Sequence, residues 1–158
     1  WPSTNYMVIS GLVDKGYRQL AWDITMNHYK NVLEVYKKTG TFFEYYAPEN
    51  AEPGFMARKD FVGWTGLPPI AELIEYIFGI RANHETKTIT IDVNLLDAYG
   101  LDKYPYGENG LISFKVAKRN NISEKPKVTI KTNVPFKVVL LWGNQKEEKE
   151  VGVGSVNI

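Results

Sequence analysis

The spacing of apolar residues changes near residue 80, and this change constrains the fold more than any other feature of the sequence. Before it, apolar side chains recur every three or four residues, which is the spacing of helices that bury one side. After it, apolar and polar residues alternate, as in strands with one buried face. Helices followed by strands predict an α+β fold, with residues 1–80 as one domain and residues 81–158 as a β-rich second domain.

Three helices are predicted in the first domain. The first is interrupted at Gly16, the second ends near Lys38, directly before Gly40, and the third begins at Pro68. Residues 41–63 show no clear period and predict one long loop. Because three helices bury little surface by themselves, we expect an exposed apolar helix face that packs on further helices or self-associates.

Four segments of alternating pattern predict strands in the second domain. They are residues 86–94, 111–117, 127–131 and 136–141, with turn residues between them. The charged segment from Lys146 to Val153 predicts one more strand at the edge of a sheet, because charges there discourage pairing with other chains.

Composition excludes several classes of function. The 158 residues carry a formal net charge of +1, so the strong positive field of a nucleic-acid-binding protein is not expected. No apolar run approaches the roughly 20 residues of a membrane-spanning helix. The chain has no cysteine, which excludes Cys-based metal sites and leaves the cellular compartment open. Neither His28 nor His84 has a neighbour at metal-ligand spacing, so no metal or cofactor is predicted.

Residues 40–54, GTFFEYYAPENAEPG, concentrate rings and acids at the start of the predicted loop. Four aromatic residues surround Glu44, and Glu49 and Glu52 follow. Aromatic rings stack on sugars, and a carboxylate among them can hold the water that attacks a glycosidic bond. The residues alone leave a second and simpler interpretation open, namely a hydrophobic junction between a helix and a loop with solvated acids.

Three segments, taken in order, resemble the C-terminal part of the six-hairpin (α/α) barrel glycosidases. They are residues 1–6 (WPSTNY), 43–46 (FEYY) and 61–65 (FVGWT). The similarity is greatest to the group that contains glycoside hydrolase family 63, and the family 37 trehalases are more distant. It covers about residues 1–80. It implies the last helices of an (α/α) six-hairpin toroid followed by a β-sandwich-like domain, in a piece of a longer chain whose remaining barrel would cover the exposed helix face.

The resemblance also implies an activity, the inverting hydrolysis of α-glycosidic bonds in an oligosaccharide by a Glu base and an Asp acid. The base carries over to Glu44, whereas the acid has no counterpart in this chain, which is therefore expected to be inert by itself. The substrate-binding residues that the resemblance implies are Trp1, Phe43, Tyr45, Glu52 and Trp64. The loop around Glu52 is less rich in glycine than that of the family, and Trp64 could equally fill the core beneath the third helix.

Two other functions fit the same residues. A non-catalytic carbohydrate-binding or scaffolding module would suit the β-rich half and the aromatic residues. A degenerate glycosidase would keep the base and lack the acid. The sequence does not indicate a location in the cell.

Overall fold

A computed structural model of the chain describes residues 1–66 and 68–158. The described residues contain three helices and two mostly antiparallel β-sheets, which confirms the predicted α+β class. They divide into two compact units, Trp1–Ile77 and Phe78–Ile158, called the helical unit and the β unit. A six-hairpin toroid is larger than three helices, so the toroid stays a prediction.

The helical unit contains the helices α1, Pro2–Asp14, and α2, Arg18–Thr39. Pro2 is tolerated in the first turn because an N–H there would have no partner within the helix. A short 3₁₀ turn, Gly63–Gly66, precedes α3, which spans Pro68–Glu72 and continues as a π-helical turn, Leu73–Ile77. The three predicted helices are therefore present, and the third changes its winding after two proline residues and a single turn.

The core of the helical unit is formed where the three helices meet. Its buried residues Ile9, Ala21 and Tyr76 are packed against the partly buried Tyr6, Leu12, Val13 and Ile24. Val8, Leu20 and Ile70 lie outside this core and are 49%, 50% and 58% exposed. Periodicity identifies an apolar stripe on a helix without showing how much of it neighbouring helices cover.

His28 lies on α2, and its side chain is largely buried. It is 11% exposed, and Nδ1 lies 2.9 Å from Oε2 of Glu72 at the end of α3. The Glu72 side chain is completely buried. Burial and the nearby Glu72 carboxylate raise the pKa of the neighbouring Tyr29 phenol.

The β unit contains eight strands. They are β1 Ile80–Asn83, β2 Thr88–Asp92, β3 Tyr99–Tyr106, β4 Gly110–Val116, β5 Val128–Thr132, β6 Phe136–Trp142, β7 Gln145–Val151 and β8 Gly154–Asn157. One sheet has the order β1-β2-β6-β7 and the other β3-β4-β5-β8. Every neighbouring pair is antiparallel except β2 and β6, which run parallel.

Residues along the central strands alternate between buried and accessible, so each sheet has one buried face. The most buried residues are Ile89, Ile91, Ile112, Phe114, Ile130, Val138 and Leu140. The charged segment predicted as an edge strand is β7, which ends the first sheet. Its exposed lysines and glutamates discourage further strands from pairing there.

Three strands were not predicted from the sequence. β1 occupies the stretch interpreted as a domain boundary, and β8 begins in a glycine-rich segment. β3 contains Gly100 and Pro105, and its pairing with β4 is irregular between Leu101 and Tyr104, where Lys103 has a φ of 54°. Such an irregularity interrupts the alternation on which the prediction of strands depends.

Candidate functional site

Glu44 lies in the loop that follows α2. The helix ends at Gly40, which has a φ of 75° and donates its N–H to the carbonyl of Tyr36 over 2.7 Å. The ring of Phe42 then stacks on Tyr36, with the centroids 4.7 Å apart. The chain thus turns back over the last turn of α2, and Glu44 is half-buried two residues later.

Residues 45–54 form a tight antiparallel turn beside Glu44. The N–H of Gly54 donates to the carbonyl of Tyr45, and the N–H of Ala47 donates to that of Glu52, both over 3.0 Å. A Cβ atom at position 54 would lie 2.1 Å from the ring of Tyr45, so glycine is required there. The close approach of backbone and ring fixes where the phenol of Tyr45 points.

Two of the rings predicted to bind sugar are in contact. Trp1 and Tyr45 stack with their centroids 4.9 Å apart and their planes at 22°. The Tyr45 hydroxyl donates to the carbonyl of Phe55 over 2.8 Å, which holds the phenol in place. Trp1 remains 52% exposed, so part of its indole is open to a ligand.

The Glu44 carboxylate lies against the third motif. A Cβ atom on Gly63 would be 3.1 Å from Oε1 of Glu44 and 3.6 Å from the ring of Phe61. Gly63 has a φ of 53°, which side chains other than glycine rarely adopt. The next residue, Trp64, is 62% exposed and so lies at the surface of the helical unit.

Phe43 and Glu52 are placed differently from the other predicted residues. Phe43 is 5% exposed, and its N–H donates to the hydroxyl of Tyr46 over 3.1 Å, so its ring takes part in internal packing. Oε1 of Glu52 accepts from Nζ of Lys38 over 2.8 Å. Both side chains of this ion pair are about half exposed, and the pair ties the turn to the end of α2.

A cavity of about 470 Å³ lies between α1 and α3. Among the residues that the structure describes, seven line it: Ser3, Tyr6, Met7, Trp64, Pro68, Ala71 and Glu75. The Tyr6 hydroxyl donates to Oε2 of Glu75 over 2.6 Å. Burial, together with this hydrogen bond, raises the pKa of Tyr6, so the phenol keeps its proton. The Ser3 hydroxyl is buried and has no hydrogen-bond partner among residues 1–66 and 68–158.

Sequence reasoning missed Ser3 and Glu75 as site residues. Ser3 lies inside the first motif, but nothing in the sequence shows that its hydroxyl is buried. Glu75 lies outside the three motifs. Its contact with Tyr6 joins residues far apart in the chain, and no local pattern signals such a contact.

Among residues 1–66 and 68–158, no three or more His, Asp or Glu side chains are grouped closely enough to hold a metal ion. In the same residues, no helix combines the length and apolarity needed to cross a membrane.

Comparison of the chain with protein-family models, curated proteins and solved structures finds no significant match.

Proposed function

We propose that the helical unit is part of an inverting α-glycoside hydrolase and that Glu44 is its general base. One observation carries the proposal: the second segment contacts both of the others, although all three are distant in the sequence. Tyr45 stacks on Trp1 from the first segment, and Glu44 lies against Gly63 from the third. A half-buried carboxylate in a loop rich in aromatic residues suits a base that holds a water beside a sugar.

In this mechanism Glu44 takes a proton from a water molecule while the water oxygen attacks the anomeric carbon. The bond to the leaving oxygen breaks, and that oxygen takes a proton from an acid that the resemblance places outside these residues. Attack from the face opposite the leaving group gives a product of inverted configuration. The acid and base carboxyl groups of inverting enzymes are typically about 6.5–9.5 Å apart, which leaves room for the water.

The finer architecture belongs to the same proposal. We infer that α1, α2 and α3 are consecutive helices of an (α/α) toroid, whose other helices would cover the exposed apolar side chains. We also infer that the two sheets of the β unit pack as a β-sandwich. The alternating burial along β4, β5 and β6 supports this, because each sheet needs a partner for its apolar face.

The base can be tested without the acid by using α-D-glucopyranosyl fluoride. Fluoride leaves without being protonated, so a base that activates water is sufficient. Water attacks the anomeric carbon, the carbon–fluorine bond breaks and Glu44 takes the proton. The chain was expected to be inert because it lacks the acid, and that expectation applies to substrates whose leaving group must be protonated. We therefore expect the chain to release fluoride, to form β-glucose first in proton NMR, and to leave aryl α-glucosides intact.

The Glu44→Gln variant should lose about 10²-fold or more of this fluoride release, which is the usual range of general-base catalysis. Glu49→Gln is the matched control, because Glu49 is an exposed carboxylate of the same loop. Unchanged release by Glu44→Gln, no release by the unmodified chain, or α-glucose as the first product would each refute the proposal.

A carbohydrate-binding module without catalysis is the second candidate. The observation that favours it is that Trp64 lines a cavity to which Glu44 does not contribute. Such a module would bind oligosaccharides and leave glucosyl fluoride intact.

A further inference from the structure

We propose that the cavity between α1 and α3 binds a neutral pyranose, which stacks on Trp64 and hydrogen-bonds to Ser3 and Glu75. The inference rests on the proposed function in one respect, because the pyranose would be one unit of the same oligosaccharide. It assigns ligand contacts to Ser3 and Glu75, which are not among the substrate-binding residues that the resemblance implies.

The Ser3 hydroxyl is the first sign of a ligand. Ser3 is 4% exposed and lines the cavity, and its Oγ atom has no hydrogen-bond partner in the part of the chain that the structure describes. Buried hydroxyls in native proteins are nearly always hydrogen-bonded, because desolvation without a partner is destabilising. A sugar hydroxyl in the cavity would satisfy Ser3.

The walls of the cavity are apolar and unusually accessible. Trp64 and Met7 are 62% and 61% exposed, although both side chains are large and apolar. Pro68 and Ala71 complete this part of the wall. A pyranose presents a face of C–H groups, and its burial against the indole would remove apolar surface from water.

Hydrogen-bonding groups also line the same cavity. The Tyr6 hydroxyl donates to Glu75 over 2.6 Å, and the raised pKa of Tyr6 keeps this donor protonated. Carboxyl oxygens accept more than one hydrogen bond, so Glu75 can accept from a sugar hydroxyl as well as from Tyr6. None of the seven lining residues is a lysine or an arginine, so an anionic ligand would have no countercharge among them.

The size and position of the cavity agree with a sugar site. Its volume of about 470 Å³ falls within the range of about 300–1,000 Å³ typical of small-molecule sites. Trp64 directly follows Gly63, which lies against the Glu44 carboxylate. A pyranose in the cavity would therefore be a neighbour of the unit that Glu44 acts on.

The test is a titration of the chain with methyl α-D-glucopyranoside, followed by saturation-transfer NMR. We expect Ser3→Ala to weaken binding about 3–10-fold, the usual effect of one neutral hydrogen bond. The same substitution should leave the melting temperature unchanged or raise it, because it removes an unsatisfied polar group. Trp64→Ala, a change at an exposed side chain, should weaken binding about tenfold. Ser10→Ala, on the same helix and away from the cavity, is the matched control.

An indole beside a carboxylate also suits an ammonium group, so choline is titrated in parallel. Tighter binding of choline than of the glucoside would overturn the inference. Glucoside affinity that is the same in Ser3→Ala, Trp64→Ala and Ser10→Ala, or no measurable affinity in the unmodified chain, would also overturn it.

These experiments can reject either proposal without rejecting the other. Binding that depends on Ser3, with fluoride release unchanged in Glu44→Gln, would reject only the assignment of the base. If fluoride release depends on Glu44 and the glucoside affinity is unchanged in Ser3→Ala and Trp64→Ala, only the assignment of the cavity is rejected.

Discussion

Nδ1 of His28 lies 2.9 Å from Oε2 of Glu72, and this contact joins the middle of α2 to the end of α3. The side chain of Glu72 is completely buried. Neither its Oε1 atom nor Nε2 of His28 has a hydrogen-bond partner among the described residues, 1–66 and 68–158. The helical unit therefore depends on His28 to compensate a carboxylate that water does not reach.

Replacing His28 by leucine should destabilise the helical unit by about 3–5 kcal/mol, because it leaves a buried carboxylate without its partner. The measurement is urea unfolding followed by tryptophan fluorescence. The double variant His28→Leu/Glu72→Leu should recover most of the loss, since two apolar side chains can replace a buried pair. Lys37→Ala is the control, because its ion pair with Glu34 is exposed and should contribute less than about 1 kcal/mol. Equal losses in His28→Leu and Lys37→Ala would contradict this account.

Gly63→Ala should impair fluoride release far more than it impairs folding. The new methyl group would lie 3.1 Å from Oε1 of Glu44 and displace the carboxylate, which we expect to cost about tenfold or more in rate. Gly16→Ala imposes similar backbone strain, at a φ of 83°, and meets no atom within 4 Å. Rates and melting temperatures of the two variants are compared. A similar rate in both would show that Glu44 does not need its present position.

The acid stability of the β unit should depend on Glu148. Hydrogen bonds from Lys137 and Lys146 lower the pKa of its carboxyl group to about 2, below the value of about 4.3 for an unfolded chain. A lowered pKa stabilises the folded state fully above about pH 5, and this contribution is lost as the pH falls towards 2. Glu148→Gln should therefore flatten the decline of the urea midpoint between pH 5 and 2, measured by circular dichroism.

The control for this acid effect is Glu108→Gln, which changes an exposed glutamate of the turn between β3 and β4. Because Glu148 is itself accessible, 0.5 M salt should reduce the difference between Glu148→Gln and the unmodified chain. A decline between pH 5 and 2 that is as steep in Glu148→Gln as in Glu108→Gln would show that this carboxylate is not responsible.

The exposed apolar residues of α1 and α2 should cause self-association. Val8 and Leu20 are about half exposed, and contiguous apolar surface of this kind favours association in water. We expect the apparent mass in sedimentation equilibrium to rise with protein concentration. Leu20→Glu should reduce this rise, whereas Asn27→Glu, at an exposed polar position of the same helix, should not. If the chain is monomeric at all concentrations, these exposed apolar residues do not cause self-association.

Local patterns predicted the fold class and the order of most elements. Helix spacing, a glycine after α2 and two prolines before α3 are signals that a few neighbouring residues carry. The buried state of Glu72 was not predictable, because it depends on a histidine in another helix. The unsatisfied hydroxyl of Ser3 was not predictable either, because its burial depends on residues that are distant in the sequence. Local patterns therefore predicted the elements and could not rank the polar residues within them.

The same limit applies to the candidate base. The residue types around Glu44 suggested sugar chemistry, but its contact with Gly63 depends on how a long loop closes. Phe43 and Tyr45 are equally aromatic in the sequence, yet one ring is buried and the other stacks on Trp1. Only the path of the backbone through the turn at Gly54 separates their roles.

The parallel pairing of β2 with β6 affects how the nascent chain folds. During synthesis β2 leaves the ribosome well before β6, and β3, β4 and β5 are made between them. The edge of β2 that pairs with β6 has no partner during that interval. An unpaired strand edge can pair with another chain and lead to aggregation. All elements of the helical unit have been made by then. We therefore expect the helical unit to fold while translation continues, and the sheet that contains β2 to close only after β6 has been made.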